Sequence, residues 1–212
     1  KPTVYDYNSM IYCYLKSEHV LFDELVEVYN GMKRFGPCPN ALTNNCLLNG
    51  MVKIGRLKYG IFVAEEMCKS GFLPSFSCLS NLLKRLILFG NLVDSLTVLE
   101  MLLRLSYVPT EPTLNTLVLG LSKAGMVREA YFVFSVLLDK GLVRGAYNFN
   151  PVLWAFSKLN GCRSAVAFFC FLQKKGFVHN VCSYTALIYG FCKDGLWDDA
   201  FRCFAKMEAD GC

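Results

Sequence analysis

The chain has 212 residues, a net charge of +5, a hydrophobic content of 54% and a mean hydropathy of +0.34. A membrane span needs about 18 consecutive apolar residues, and none exists: Ser164–Leu172 reaches half that between Arg163 and Gln173, and the run at Leu86–Phe89 is cut by Lys84, Arg85 and Asn91. The apolar excess therefore belongs inside helices that pack on one another, and the mild positive charge suits a polyanionic partner.

In chain order, Lys1-Pro2-Thr3 read as the tail of an earlier unit, and a first unit follows at 4–40, with two extra residues in its turn near Glu18–Val20. The next units are 41–75, 76–110, 111–145, 146–180 and a truncated 181–212. Glycines Gly36, Gly71, Gly141, Gly176 and Gly211 keep a 35-residue step, with Ser106 in the one gap. Four residues before each stands Met32, Met67, Leu102, Leu137, Leu172 or Met207. A second series, Gly55, Gly90, Gly125 and Gly195, has Asn160 in its missing slot. Three registers locked to one period mark an internal repeat.

Each unit reads as two helices. In the second unit a helix is predicted from about Thr43 to Ile54, with Leu47, Leu48, Met51 and Val52 at helical spacing. Gly55 ends it, a second helix follows from about Leu57 to Ser70 with Ile61, Ala64 and Met67 inward, and Gly71 stops that one. Pro39, Pro74 and Pro109 sit two residues before a new first helix and turn the chain into it. Small residues Gly60, Ser95, Ala130, Ala165 and Ala200 recur where the two helices approach closely. Neither helix is polar enough to stand alone, so neighbouring pairs must bury the faces between them, which predicts an all-α solenoid. The eleven cysteines include no C-x-x-C pair and read as small buried apolar residues. No signal or transit peptide is present, and the absence of a polar capping helix points to a segment of a longer array.

The run Tyr184-Thr185-Ala186-Leu187-Ile188-Tyr189-Gly190-Phe191-Cys192-Lys193-Asp194-Gly195, followed by Asp198-Asp199-Ala200 and Phe204-Ala205-Lys206-Met207, closely resembles the pentatricopeptide-repeat consensus. A period of 35 also separates that family from tetratricopeptide repeats, which have 34. The resemblance covers the whole chain and implies a right-handed α-solenoid whose first helices line a groove for single-stranded RNA, about one base per repeat.

In that family the fifth and last residues of a unit address a base. The matching positions here are Asn8 with Asn40, Asn45 with Ser75, Ser80 with Thr110, Asn115 with Gly145, Asn150 with Asn180, and Thr185 without its partner. The resemblance implies pyrimidine, C, purine, pyrimidine, pyrimidine, purine from 5′ to 3′. The Ser80/Thr110 and Asn115/Gly145 pairs depart from the usual combinations, and Gly145 has no side chain to offer. The same residues also read as first-turn polar groups and N-caps, and both roles can hold together. Base packing falls to the second residue of each unit, here Tyr5, Leu42 and Tyr147, with Cys182 in the last unit and Ser77 and Pro112 as poorer surfaces. Lys16, Lys53, Lys123, Lys158 and Lys193 share one slot near the end of the first helix, with Leu88 in the third unit. They fit a phosphate-tracking row, and equally lysines set against a helix C-terminal dipole.

No catalytic residue, metal site or cofactor is expected. His19 and His179 fall in separate turns, Asp198 and Asp199 favour a helix N-terminus, and the glycines are helix stops rather than a phosphate loop. The resemblance implies a non-enzymatic RNA-binding protein of a mitochondrion or chloroplast. The alternative is a structural subunit of a large organellar assembly such as a ribosome, with protein or rRNA in the groove.

Overall fold

The computed structural model describes residues 2–17, 19 and 21–212. Among them are twelve α-helices and no strand. They are α1 (Val4–Lys16), α2 (Phe22–Phe35), α3 (Ala41–Lys53), α4 (Leu57–Lys69), α5 (Phe76–Leu88), α6 (Leu92–Arg104), α7 (Glu111–Lys123), α8 (Val127–Asp139), α9 (Ala146–Ala155), α10 (Cys162–Lys174), α11 (Val181–Lys193) and α12 (Trp197–Ala209). From α3 on, the odd-numbered helices open 35 residues apart, and each pairs with the even-numbered helix after it. The fold is an all-α solenoid of helix–turn–helix pairs.

Local chemistry sets the helix starts. Asn40 and Asn180 accept backbone N–H bonds from Thr43 and Ser183, and those hydroxyls return to the cap N–H groups. This reciprocal box starts α3 at Ala41, two residues before the Thr43 expected from apolar spacing alone. Thr3 and Asp6 make the same box on α1, and Ser75 caps α5. Pro39, Pro74 and Pro109 precede α3, α5 and α7 by two residues.

The chain forms two compact bodies, Lys1–Pro109 and Thr110–Cys212. In the first, Leu48, Leu79, Leu82, Leu83, Leu86, Val98 and Leu102 make one core, and Ile11, Leu25, Leu47 and Met51 a smaller one. Each fully buried leucine contributes about 1.5–3 kcal/mol of transfer free energy. Gly60 stands at a contact between pairs: a Cβ there would lie 3.2 Å from Leu82 and 3.5 Å from Leu48. In the second body the core is more aromatic, with Phe134 edge-on to Phe168 and Phe149 edge-on to His179. The aliphatics four residues before the glycine register are buried from Met32 to Leu172, whereas Met207 on the last helix is half-buried.

Three expectations need correction. Gly36 is extended, with φ −109, and is not a left-handed stop; a Cβ there would come within 2.8 Å of the Tyr7 ring, so close approach holds the glycine. Asn160 does not take the left-handed slot, because Phe156–Asn160 form a π turn and Gly161 takes positive φ one residue later. The cysteines are not uniformly buried: only Cys78 and Cys162 are, while Cys13, Cys38, Cys68, Cys170, Cys182 and Cys212 are exposed. A stack of two-helix layers buries a stripe of each helix and not its circumference, and most cysteines lie off that stripe. Of the inserted turn at Glu18–Val20, Glu18 and Val20 lie outside the described residues, as does Lys1, and His19 is exposed.

Candidate nucleic-acid interface

The first helices α1, α3, α5, α7, α9 and α11 carry the recurring polar positions near their N-termini. Two of the expected pairs meet directly across 30 residues. Ser75 N–H donates to Asn45 Oδ1 at 2.8 Å, while the Asn45 amide donates to the Ala41 carbonyl at 2.9 Å. Asn150 Nδ2 donates to Asn180 Oδ1 at 3.1 Å.

Two other pairs meet through an intermediary. Asn8 is only 7% exposed; the Thr43 hydroxyl donates to its Oδ1 at 2.7 Å and lies 3.0 Å from Asn40 Oδ1. Asn148 Nδ2 donates to Asn115 Oδ1 at 2.7 Å, and Asn148 Oδ1 accepts the Gly145 N–H at 3.1 Å. The Asn115 amide also donates to the Glu111 carboxylate. Ser80 and Thr110 belong to different bodies. The Ser80 hydroxyl makes no hydrogen bond among the described residues, and the Thr110 hydroxyl lies 3.0 Å from that of Thr113. Thr185 is exposed and donates to the Val181 carbonyl at 2.7 Å.

The intermediaries belong to a set that base-reading arguments overlooked. Thr43, Cys78, Thr113, Asn148 and Ser183 are the third residues of successive first helices, and all five are buried. Thr43, Asn148 and Ser183 bond to the amide side chain of the preceding first helix, Ser183 reaching Asn150 Oδ1 at 2.8 Å. Buried polar groups are held by such bonds, so this ladder fixes the amide orientations. The signal was present in the sequence as a polar residue, or cysteine, at a 35-residue step beside core positions. A carboxamide has two N–H donors and a two-lone-pair oxygen. Asn150, with Asn180 on one N–H and Ser183 on its oxygen, therefore keeps a donor for an acceptor on a base edge.

At the packing register Tyr5, Leu42 and Tyr147 are all exposed, as are Ser77, Pro112 and Cys182. Tyr147 is tethered by donating its hydroxyl to Glu111 at 3.1 Å. Desolvation and then that carboxylate push its phenol pKa up. The five lysines are all exposed. Lys16 lies 4.6 Å from the Tyr12 ring and Lys158 5.7 Å from the Trp154 ring. Lys53 donates to the carbonyls of Leu15 and, at 3.2 Å, Ser17, and Lys193 donates to the Lys158 carbonyl. Those two ammonium groups thus cap the end of the preceding first helix.

In the second body a cleft of about 680 Å³ opens over α7 and α9, bordered by Lys123, Tyr147, Asn150, Trp154 and Lys158. Elsewhere the polar groups are structural. His179 stacks on Phe169 with centroids 3.6 Å apart, and its Nε2 lies 3.1 Å from the Phe169 carbonyl. Asp198 and Asp199 occupy the first turn of α12, and Arg202 lies 3.5 Å from Asp199. No group of three His, Cys, Asp or Glu side chains with metal-holding geometry occurs among the described residues. No described helix is long and apolar enough to cross a membrane.

Two segments, residues 112–142 and 175–208, match the family described as PPR repeat. The whole chain is similar in fold to the crystal structure of the pentatricopeptide repeat protein PPR10 from maize, with 24% identity, a TM-score of 0.55 and coverage of 100% of this chain and 30% of that one. PPR10 in complex with an 18-nt psaJ RNA element is similar at 20% identity and a TM-score of 0.53, covering 98% of this chain and 30% of that one. Arabidopsis thaliana nuclear protein-only RNase P 2 is similar at 12% identity and a TM-score of 0.52, over 89% of this chain and 41% of that one. The chain thus spans less than half the length of each of these proteins. No curated protein matches its sequence significantly.

Proposed function

We propose that this chain is a pentatricopeptide-repeat protein and that it binds single-stranded RNA along its first helices, non-enzymatically and roughly one base per repeat. The setting is the RNA metabolism of a mitochondrion or chloroplast, where such binding protects, processes or exposes a transcript. The observation that carries the reading is the convergence of Asn45 with Ser75 and of Asn150 with Asn180, each 30 residues apart in sequence. Exposed Leu42 and Tyr147 stand at the packing register of the same two helices. The exposed lysines and the net charge of +5 supply a sequence-indifferent electrostatic contribution.

The experiment places cytosine opposite the second repeat, whose fifth and last residues are Asn45 and Ser75. Replacing that cytosine by adenine lowers affinity by about 1 kcal/mol, roughly fivefold, and the double variant Asn45→Thr with Ser75→Asn restores binding to the adenine-containing RNA. Equal affinity for all sequences, with only a steep salt dependence, refutes base reading. One observation favours a second reading, a scaffold that holds protein or rRNA without reading sequence. The Asn115 amide is tied to both Glu111 and Asn148, and Gly145 opposite it has no side chain, so this repeat has little left to offer a base.

A further inference from the structure

The α9 segment departs from every other first helix. Among the described residues it is the only helix with a proline in its interior, Pro151, which has no N–H to offer the Tyr147 carbonyl four residues earlier. It runs into the π turn Phe156–Asn160, and single π turns within helices cluster at functional sites. Both irregularities lie beside the cleft of about 680 Å³, whose border includes Pro151, Trp154, Lys158 and Leu159.

The cleft has a definite chemistry. Tyr147 and Trp154 are two turns apart on one face of α9. Trp154 is half-buried and propped by Tyr189 of α11, with centroids 5.5 Å apart and planes inclined by 49°. Lys158 stands over the Trp154 ring at 5.7 Å, and Lys123 reaches the cleft from α7. No aspartate or glutamate borders it. A flat hydrophobic surface flanked by two cations, with the neighbouring Glu111 carboxylate engaged by the Tyr147 hydroxyl, matches a planar base joined to phosphates.

Resting on the RNA-binding reading above, we propose that this cleft clamps one nucleotide by stacking its base on Trp154, with Lys123 and Lys158 at the adjoining phosphates. It is a sequence-indifferent anchor that adjoins the pairwise reading by Asn150, which borders the same cleft, and Asn180. Trp154 stacks on any base because every base presents a π face. Beyond Asn150, the neutral hydroxyls bordering the cleft are those of Ser122 and Tyr147, single groups that both donate and accept and so fit any base edge.

The test uses the two tryptophans as reporters. In the Trp197→Phe background, which removes an exposed indole on α12, Trp154 is the sole tryptophan emitter. Labelled oligo(U), oligo(C) and oligo(A) of about 20 nucleotides are titrated, following both anisotropy and Trp154 emission. The expected result is quenching of Trp154 by all three in step with binding. Trp154→Ala weakens all three by about tenfold and by the same factor. Trp154→Phe keeps most of the affinity, and circular dichroism verifies that both variants fold. RNA binding with unchanged Trp154 emission and an unaffected Trp154→Ala variant overturns the anchor while leaving the RNA-binding reading intact. Loss confined to one homopolymer makes Trp154 a reader and also overturns the anchor. No binding of any RNA by the unsubstituted protein refutes both.

Discussion

Ser106 is the one described non-glycine residue with positive φ, at 59°, and it supplies a quantitative test of why the repeat holds glycine at that register. It follows α6 in the position that Gly71, Gly141, Gly176 and Gly211 take after their helices. The Tyr107 N–H bonds the Leu102 carbonyl at 2.8 Å and the Ser106 N–H bonds the Leu103 carbonyl at 3.0 Å, so the termination geometry is intact. A side chain in the left-handed region costs about 1–2 kcal/mol. Replacing it by glycine recovers that strain and loses about 0.4–1 kcal/mol through the freer unfolded chain. The exposed serine side chain has no hydrogen bond to forfeit among the described residues. The net expectation for Ser106→Gly is a stabilisation of about 0.5–1 kcal/mol, or about 1–4 °C in Tm for a chain of this size. Urea and thermal denaturation followed by far-UV circular dichroism read it directly. The mirror variant, Gly141→Ala, meets no atom within 4 Å and has φ 65, so its cost, about 1 kcal/mol, is purely conformational. An unchanged or lowered midpoint for Ser106→Gly refutes the strain argument, and a neutral Gly141→Ala refutes its generality.

Two further outcomes follow from buried polar groups. Thr43→Val keeps the shape but strips the hydroxyl from buried Asn8 and from the Asn40 cap; a loss of about 1–3 kcal/mol is expected, with Thr43→Ser recovering most of it in the same urea titration. His179 is held neutral by burial, which pushes its pKa below the usual 6.5, against a smaller upward pull from the Phe169 carbonyl. Its Nδ1 has no partner among the described residues, so protonation would place an unbonded N–H in the core. Because the folded pKa lies below the unfolded one, the unfolded chain binds more protons as pH falls, and stability present above about pH 6.5 declines below it. The urea midpoint should drop between about pH 7 and 5, and His179→Gln should flatten that segment. A midpoint as steep in the variant as in the parent assigns the dependence to other groups.

The solenoid was legible because one period organises several residue types at once. Leu47, Leu48 and Met51 mark a buried stripe, Pro39 marks the turn before it, and Gly71 the stop after it. Such features act through local geometry, and local geometry can be read from spacing. Gly36 was misread because a glycine serving close approach to Tyr7 looks, in sequence, like a glycine serving positive φ. The π turn at Phe156–Asn160 was invisible for a related reason. Its helix keeps the register on either side, since α10 still opens at Cys162, and redistributes residues only within the turn. The cysteines failed as a class because composition says nothing about which face of a helix a residue occupies. At the candidate interface the amide positions were visible by register, but their hydrogen bonds to Thr43, Asn148 and Ser183 required the neighbouring helix to be in place.

The lysines that reach backward change how ligand capture and rigidity relate. Lys53 is shared between the end of α1 and whatever approaches the surface, and Lys193 similarly serves the end of the π turn that extends α9. An ammonium group has three N–H donors; Lys53 spends two on carbonyls and Lys193 one, so each keeps a donor for an approaching anion without letting go of the helix end. A phosphate taken up at either place would therefore lie against a helix end that is already latched, and would add to the junction between neighbouring helix pairs rather than open it.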